Sequence, residues 1–173
     1  MKIKDLMVPV SEYKTLGPDA VLSDVAAALS NSKHRDILIV DENGSFMGVL
    51  TMIDIIMALE PNYKKLSKKN LGSDVLTNKF VADIFKEFDL WNDSLADLCK
   101  KGLDIKVTDA MHIPNEEHML NQDNDLEHGV HYYIVGAPQP LIVRQNGTVV
   151  GVLRIADVFE EITKRMNICA CES

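Results

Sequence analysis

The feature that most constrains this chain is a motif that occurs twice. Gly48-Val49-Leu50-Thr51-Met52-Ile53-Asp54 is followed, at a constant offset of 103 residues, by Gly151-Val152-Leu153-Arg154-Ile155-Ala156-Asp157. The flanks repeat too. Asn43-Gly44 maps on Asn146-Gly147, and the apolar run Ile37-Leu38-Ile39-Val40 maps on Leu141-Ile142-Val143. Lys4-Asp5-Leu6-Met7 with Pro9 resembles Thr108-Asp109-Ala110-Met111 with Pro114. A repeat of this length means one supersecondary unit used twice. Each copy reads as an apolar strand, a turn, a second strand and a helix. Asn-Gly is the strongest short hairpin signal, because both residues tolerate positive φ. A unit pairing a hairpin with helices is α/β and does not bury its apolar face alone.

The chemistry of the motif centres on its last four residues. Thr51 falls where a helix N-cap is expected, and a hydroxyl beside free backbone N–H groups favours an anion such as phosphate. Asp54 lies at i,i+3 on the same face, where its carboxylate could accept hydrogen bonds from a diol such as ribose. The plainer role for the same residues is structural, with Thr51 as the cap and Asp54 complementing the helix dipole.

With the copies in view, the chain resembles a tandem pair of CBS (cystathionine β-synthase) domains, the Bateman module. The resemblance rests on the opening "D-x-M" (Asp5 to Met7), the helix start Gly17-Pro18-Asp19-Ala20-Val21-Leu22, the apolar strand with its turn, and the closing "G-h-h-T-x-x-D", where h is apolar. The first copy fits over Lys2 to Leu59, the second more loosely over Ile105 to about Thr163. The expected organisation is a repeat over 1–60, a helical insert over 61–104, and a second repeat with a C-terminal tail over 105–173. The resemblance implies two β-α-β-β-α units about a pseudo-two-fold axis, with the insert helices outside. It also implies a flat homodimer.

Such pairs bind adenosyl ligands in the cleft between repeats, so the resemblance implies AMP, ADP, ATP or S-adenosylmethionine as candidates. It assigns Thr51 to phosphate and Asp54 and Asp157 to ribose. It lines the adenine pocket with His34, Arg35 and Asp36, and places Ala20 and Val25 opposite. The second copy departs from the pattern, with Arg154 at the Thr position, and a guanidinium suits phosphate oxygens bidentately. Ile53 and Ala156 stand where the family often has a basic residue. That loss also suits a less anionic ligand or an empty site. Pro138 and Pro140 replace the basic loop of the first copy and remove N–H donors.

Composition sets the remaining bounds. The 173 residues carry 46% hydrophobic side chains and a formal net charge of −8, so DNA and anionic membranes are not the expected partners. No apolar run reaches the ~20 residues of a membrane span, and no signal peptide opens the chain. Three cysteines, Cys99, Cys169 and Cys171, make no disulfide framework and point to the cytoplasm. In the insert, Leu76, Phe80, Val81, Ile84, Phe85 and Phe88 predict an amphipathic helix within 73–90, followed by a second with Leu95, Leu98 and Cys99 on one face. His118, His128 and His131 raise a metal-responsive alternative, although no zinc-hydrolase spacing is present. No Walker loop, nucleophile elbow or dinucleotide fingerprint supports catalysis. The expectation is a regulatory sensor that signals by rearranging its repeats or its dimer to an unidentified effector protein. The alternative is a ligand-free interaction module working through the insert helices.

Overall fold

The structure is a computed structural model that describes residues 1–30, 32, 35–66 and 78–171. His34 and the stretch 67–77, which holds Lys68, Lys69 and Leu76, lie outside the described residues.

Each copy forms the expected α/β unit. The first runs β2 (Thr15–Leu16), α1 (Leu22–Ser30), β3 (Asp36–Val40), β4 (Phe46–Thr51) and α2 (Met52–Leu59), preceded by β1 (Val8–Pro9). The second runs β5 (Leu120–Asn121), α7 (Leu126–Ile134), β6 (Leu141–Gln145), β7 (Thr148–Leu153) and α8 (Ile155–Cys171). Between them lie α3 (Tyr63–Leu66), α4 (Asn78–Glu87), α5 (Leu95–Gly102) and α6 (Val107–Ala110). In both copies the short first strand pairs parallel with the strand after its helix, and the hairpin is antiparallel.

The two Asn-Gly pairs behave differently. Asn146 and Gly147 have φ of 50° and 84° and close a two-residue turn between β6 and β7, the geometry of a primed hairpin turn. Asn43 and Gly44 sit in a longer turn, where the Asp41 carboxylate accepts from the N–H of Asn43 and of Ser45. The first hairpin is thus closed by an aspartate side chain as well as by its glycine.

The apolar strands are buried on both faces, and their alternation sorts side chains into three layers. Ile37, Ile39 and Leu50 pack with Leu22, Val25, Ala58 and Val107 under the helices of the first unit. Leu141, Val143 and Leu153 do the same with Leu126, Val158 and Ile3 in the second. The alternate residues Leu38, Val49, Ile142 and Val152 meet Tyr13 in a central layer between the sheets.

Ile3 and Val107 reveal how the units are joined. Each belongs by sequence to one copy and by packing to the other, and both are fully buried. The opening segments have exchanged places. The Ile3 N–H donates to Asn124 O and the Leu126 N–H to Met1 O, while the Val107 N–H donates to Ala20 O and the Leu22 N–H to Ile105 O. Beyond these contacts, Val8 and Pro9 pair with Val152 and Gly151, and His112 bridges to Val49. The repeated glycines lie under these crossings. A Cβ on Gly151 would stand 2.7 Å from Val8 O, and one on Gly48 2.8 Å from Met111 Sδ and 3.0 Å from His112 O. Glycine closes the motif because another backbone passes directly over it.

The insert is anchored to the first unit. Leu98 and Ile84 are buried, and Gly102 lies against Leu59, where a Cβ would come within 2.1 Å of Cδ2. Glu60, at the end of α2, is 4% exposed and accepts the N–H groups of Trp91 at 2.9 Å and Asn62 at 3.3 Å. Trp91 donates its indole N–H to Tyr63 Oη at 2.8 Å. The described amphipathic helix, α4, is shorter than the 73–90 reading, part of which falls in the undescribed stretch.

Gly151→Ala tests the crossing. The methyl meets a backbone oxygen that cannot rotate away, so the expected loss is about 1–3 kcal/mol in urea unfolding. Gly17→Ala, with nothing within 4 Å of its Cβ, serves as the control and stays within about 0.5 kcal/mol. Equal effects at the two positions would remove the crossing as the reason for the repeated glycine.

Candidate functional site

Thr51 and Asp54 form a reciprocal cap on α2. The Asp54 N–H donates to Thr51 Oγ1 at 3.3 Å, and the Thr51 N–H donates to Asp54 Oδ2 at 2.7 Å. The Thr51 hydroxyl also donates to Oδ2, at 2.6 Å. This is a capping box with aspartate at the third position. A third partner arrives from the second copy, with His112 Nδ1 2.9 Å from Asp54 Oδ2. Burial by itself would raise the Asp54 carboxyl. The hydrogen bonds from His112 and Thr51 outweigh it and hold the group below the usual carboxylate value. The bond to Asp54 in turn lifts the His112 imidazole above its ordinary value, against the opposing effect of partial burial.

The equivalent position in the second copy is built from different chemistry. Arg154 replaces the threonine, and its Nε donates to Asp157 Oδ2 at 2.5 Å while Nη2 donates to Oδ1. The hydrogen bond to Asp157 raises the Arg154 pKa further. Arg154 and Asp157 thus engage each other as a fork on a carboxylate. The sequence reading had assigned them separately, one to phosphate and one to ribose.

Two clefts lie near the motif residues, the first of them between the units. One, of about 150 Å³, brings Tyr13, Arg35 and Asp36 of the first copy together with Tyr133, Arg154 and Ala156 of the second. Tyr13 Oη donates to Asp36 Oδ1, and Tyr133 Oη donates to Leu153 O at 2.5 Å. Burial raises both phenols, so each remains a protonated donor at neutral pH. The other cleft, of about 160 Å³, is lined by His112, Pro114, His118, Pro138, Pro140 and Leu141. Larger hollows exist under the insert (about 350 Å³, around Leu98 and Gly102) and between the hairpin tips (about 640 Å³), but neither is lined by a motif residue.

The structure therefore regroups the residues expected from sequence. Arg35 and Asp36 share a cleft with Arg154, from the other copy. Thr51 and Asp54 sit at the start of α2, held by His112. Val25 differs from expectation: it is 1% exposed and packs in the first core, and Ala20 lies against that core, so neither presents a side chain to these clefts. His128 and His131 are exposed on α7, and no group of three or more His, Cys, Asp or Glu is disposed to hold a metal among the described residues. Tyr13, Tyr133 and His112 were not singled out from sequence. His112 had a usable signal, since it follows the repeated methionine (Met7, Met111) where the first copy has Val8.

Comparison with known proteins follows this geometry. A family model described as the CBS domain matches residues 3–61. Most of the chain, across both copies, superposes on solved CBS-domain structures. CBSX2 in complex with AMP aligns with a TM-score of 0.61 at 20% identity, covering 94% of this chain and 97% of that one. A CBS-domain containing protein from Agrobacterium tumefaciens gives 0.60 at 18%, covering 92% and 91%. This chain folds as a tandem CBS pair. The CBS domain of a bacterial CNNM/CorC family Mg2+ transporter in complex with ATP is also similar, with a TM-score of 0.60 at 16% identity over 94% of this chain and 87% of that one. No curated protein matches the sequence. No helix among the described residues is long and apolar enough to cross a membrane.

The Asp54–His112 pair sets a pH dependence with two edges. His112 has a raised folded pKa, so its contribution is complete below its unfolded value of about 6.5 and is lost as pH rises through the folded value. Asp54 has a lowered folded pKa, so its contribution is complete above its unfolded value and is lost as pH falls through the folded one. His112 is 38% exposed, so the pair is worth at most ~1 kcal/mol after screening. Urea midpoints of Asp54→Asn and the unaltered chain, taken from about pH 5 to 9, are expected to converge on the alkaline side. Midpoints that run parallel through neutral pH would show that the ion pair contributes nothing.

Proposed function

We propose that this CBS pair is a regulatory module that binds an adenosyl nucleotide in the cleft between its repeats. One observation carries the reading: Arg35 and Arg154, from different copies, line the same cleft. In a chain of net charge −8, a converging pair of guanidiniums is a local exception suited to phosphate. Solved relatives of the same fold hold AMP and ATP, which supports the ligand class. In this reading Arg35 and Arg154 take the phosphates. Asp36 and the motif carboxylate Asp157 accept hydroxyls there, Asp54 does so at the equivalent position of the first copy, and Tyr13 and Tyr133 flank the base or sugar. Binding replaces the Arg154–Asp157 fork with contacts to ligand, which couples occupancy to the relation between repeats. The ligand shifts that relation only so far as it binds one arrangement better. The role is sensing rather than catalysis.

Calorimetric titration with AMP, ADP, ATP and S-adenosylmethionine tests this. Arg154→Ala and Arg35→Ala are each expected to weaken the preferred nucleotide about tenfold or more, the effect of losing a charged hydrogen bond. Unchanged affinity in both variants, or no binding by the unaltered chain, would overturn the assignment.

A second copy of the chain completes the module in the same reading. Met52 and Ile56 on α2 and Ile155 and Phe159 on α8 are exposed large hydrophobics, related pairwise by the repeat offset. Ile162 and Met166 extend the α8 stripe. An apolar face repeated about a pseudo-two-fold axis is self-complementary and fits an isologous dimer. Sedimentation equilibrium should give a dimer for the unaltered chain and a folded monomer for the double variant Ile56→Asp, Phe159→Asp. A monomer for the unaltered chain would refute the contact.

A further inference from the structure

The two motif carboxylates are occupied by different kinds of cation. Asp157 is held by Arg154, one turn away on its own helix and charged at every physiological pH. Asp54 is held by His112, which reaches it from the other copy. The imidazole is placed by its own backbone, because the His112 N–H donates to Val49 O at 3.0 Å and the Val49 N–H to His112 O at 2.9 Å. Val8 takes the corresponding place over the second unit, paired with Val152, and offers nothing to titrate. His112 also lines the second cleft, so it stands between that cleft and Asp54.

We propose that His112 is a proton-operated gate on Asp54, which sets when the second cleft can take a nucleoside through its sugar hydroxyls. This rests on the proposed reading that the motif carboxylates accept such hydroxyls. Protonated, the imidazole gives Asp54 a charge-assisted hydrogen bond that a neutral hydroxyl does not displace. Deprotonated, it retains at most a neutral N–H donor, and such bonds are roughly half as strong. The carboxylate then becomes available to a ligand. The charged and titratable groups around His112 are few. Asp54 faces it from α2, and His118 shares its cleft from the turn at 116–118. Asp109 on the preceding α6 is exposed, β4 carries no charged residue, and of β6 only Leu141 and Ile142 line the cleft. Among the described residues the second cleft has no arginine or lysine in its lining, which suits an uncharged or weakly anionic nucleoside. The first cleft, with Arg35 and Arg154, suits the phosphorylated forms.

The test uses adenosine, a diol without phosphate, on the full chain. Binding is measured calorimetrically at about pH 6 and about pH 8, on either side of the region where histidine titrates. The proteins are the unaltered chain, His112→Val and Asp54→Asn. The His112 imidazole is followed by NMR in the unaltered chain and in Asp54→Asn. Adenosine should bind the unaltered chain about fivefold more tightly at the higher pH. His112→Val, which installs the residue found at the equivalent position, should bind equally at both. Asp54→Asn should bind weakly throughout, with His112 titrating at lower pH than in the unaltered chain. A flat pH response in the unaltered chain, a response that survives in His112→Val, or absence of adenosine binding at pH 8 overturns the gate. AMP binding that still depends on Arg154 would then leave the proposed function standing. Loss of both would remove the two readings together.

Discussion

The crossing of one repeat's opening segment over the other repeat's glycine is the constraint on which the rest depends. It places Val8 against Gly151 and His112 against Val49, next to Gly48. Everything between the units follows from that exchange. Each unit's core takes a large, fully buried apolar residue from the other copy's opening segment, Ile3 in one and Val107 in the other. Neither unit closes its own core, which is why a chain of this size uses two copies rather than one. The surface pairs Lys2–Asp125 and Lys4–Asp123 follow the same exchange, but such exposed pairs add little beside two fully buried aliphatic side chains.

The same exchange builds the clefts. Strands buried on both faces leave only their ends for chemistry, and the ends of β3 and β6 lie beside the starts of α2 and α8. A residue at the start of one copy's strand therefore meets a residue from the other copy's helix start, as Arg35 and Asp36 meet Arg154. Because the site is shared, any ligand in it touches both copies. That is the physical condition for a binding event to be felt as a change in the relation between repeats. The two clefts have diverged within the shared frame, one gathering guanidiniums and phenols, the other histidines and prolines. None of the described insert residues lines either. The insert covers the end of α2 through Glu60, Trp91 and the Leu59–Gly102 contact.

Much of this was legible in the amino-acid sequence. The internal repeat, the β-α-β-β-α order, the helix cap at Thr51 and the apolar hairpin strands all depend on local preference and on short-period patterning, which survive any tertiary context. Thr51 and Asp54 read correctly as neighbours because i,i+3 geometry is a property of the helix itself. Val25 was assigned to the pocket from the family resemblance alone, and it packs instead in the first core. The turn around Asn43 was legible, but not its closure by the Asp41 carboxylate, which accepts backbone N–H groups of that turn.

By itself, then, the sequence determined the two units and the local chemistry of each motif, since both arise from residues within a few positions of one another. Only the tertiary structure decided that Arg35 and Asp36 share a cleft with Arg154, and that His112 answers Asp54. Those pairings join residues 58 positions apart in one case and more than a hundred in the other. Their geometry is set by the exchange of opening segments across Gly48 and Gly151, and no local preference encodes which partner a side chain will meet once two backbones have crossed.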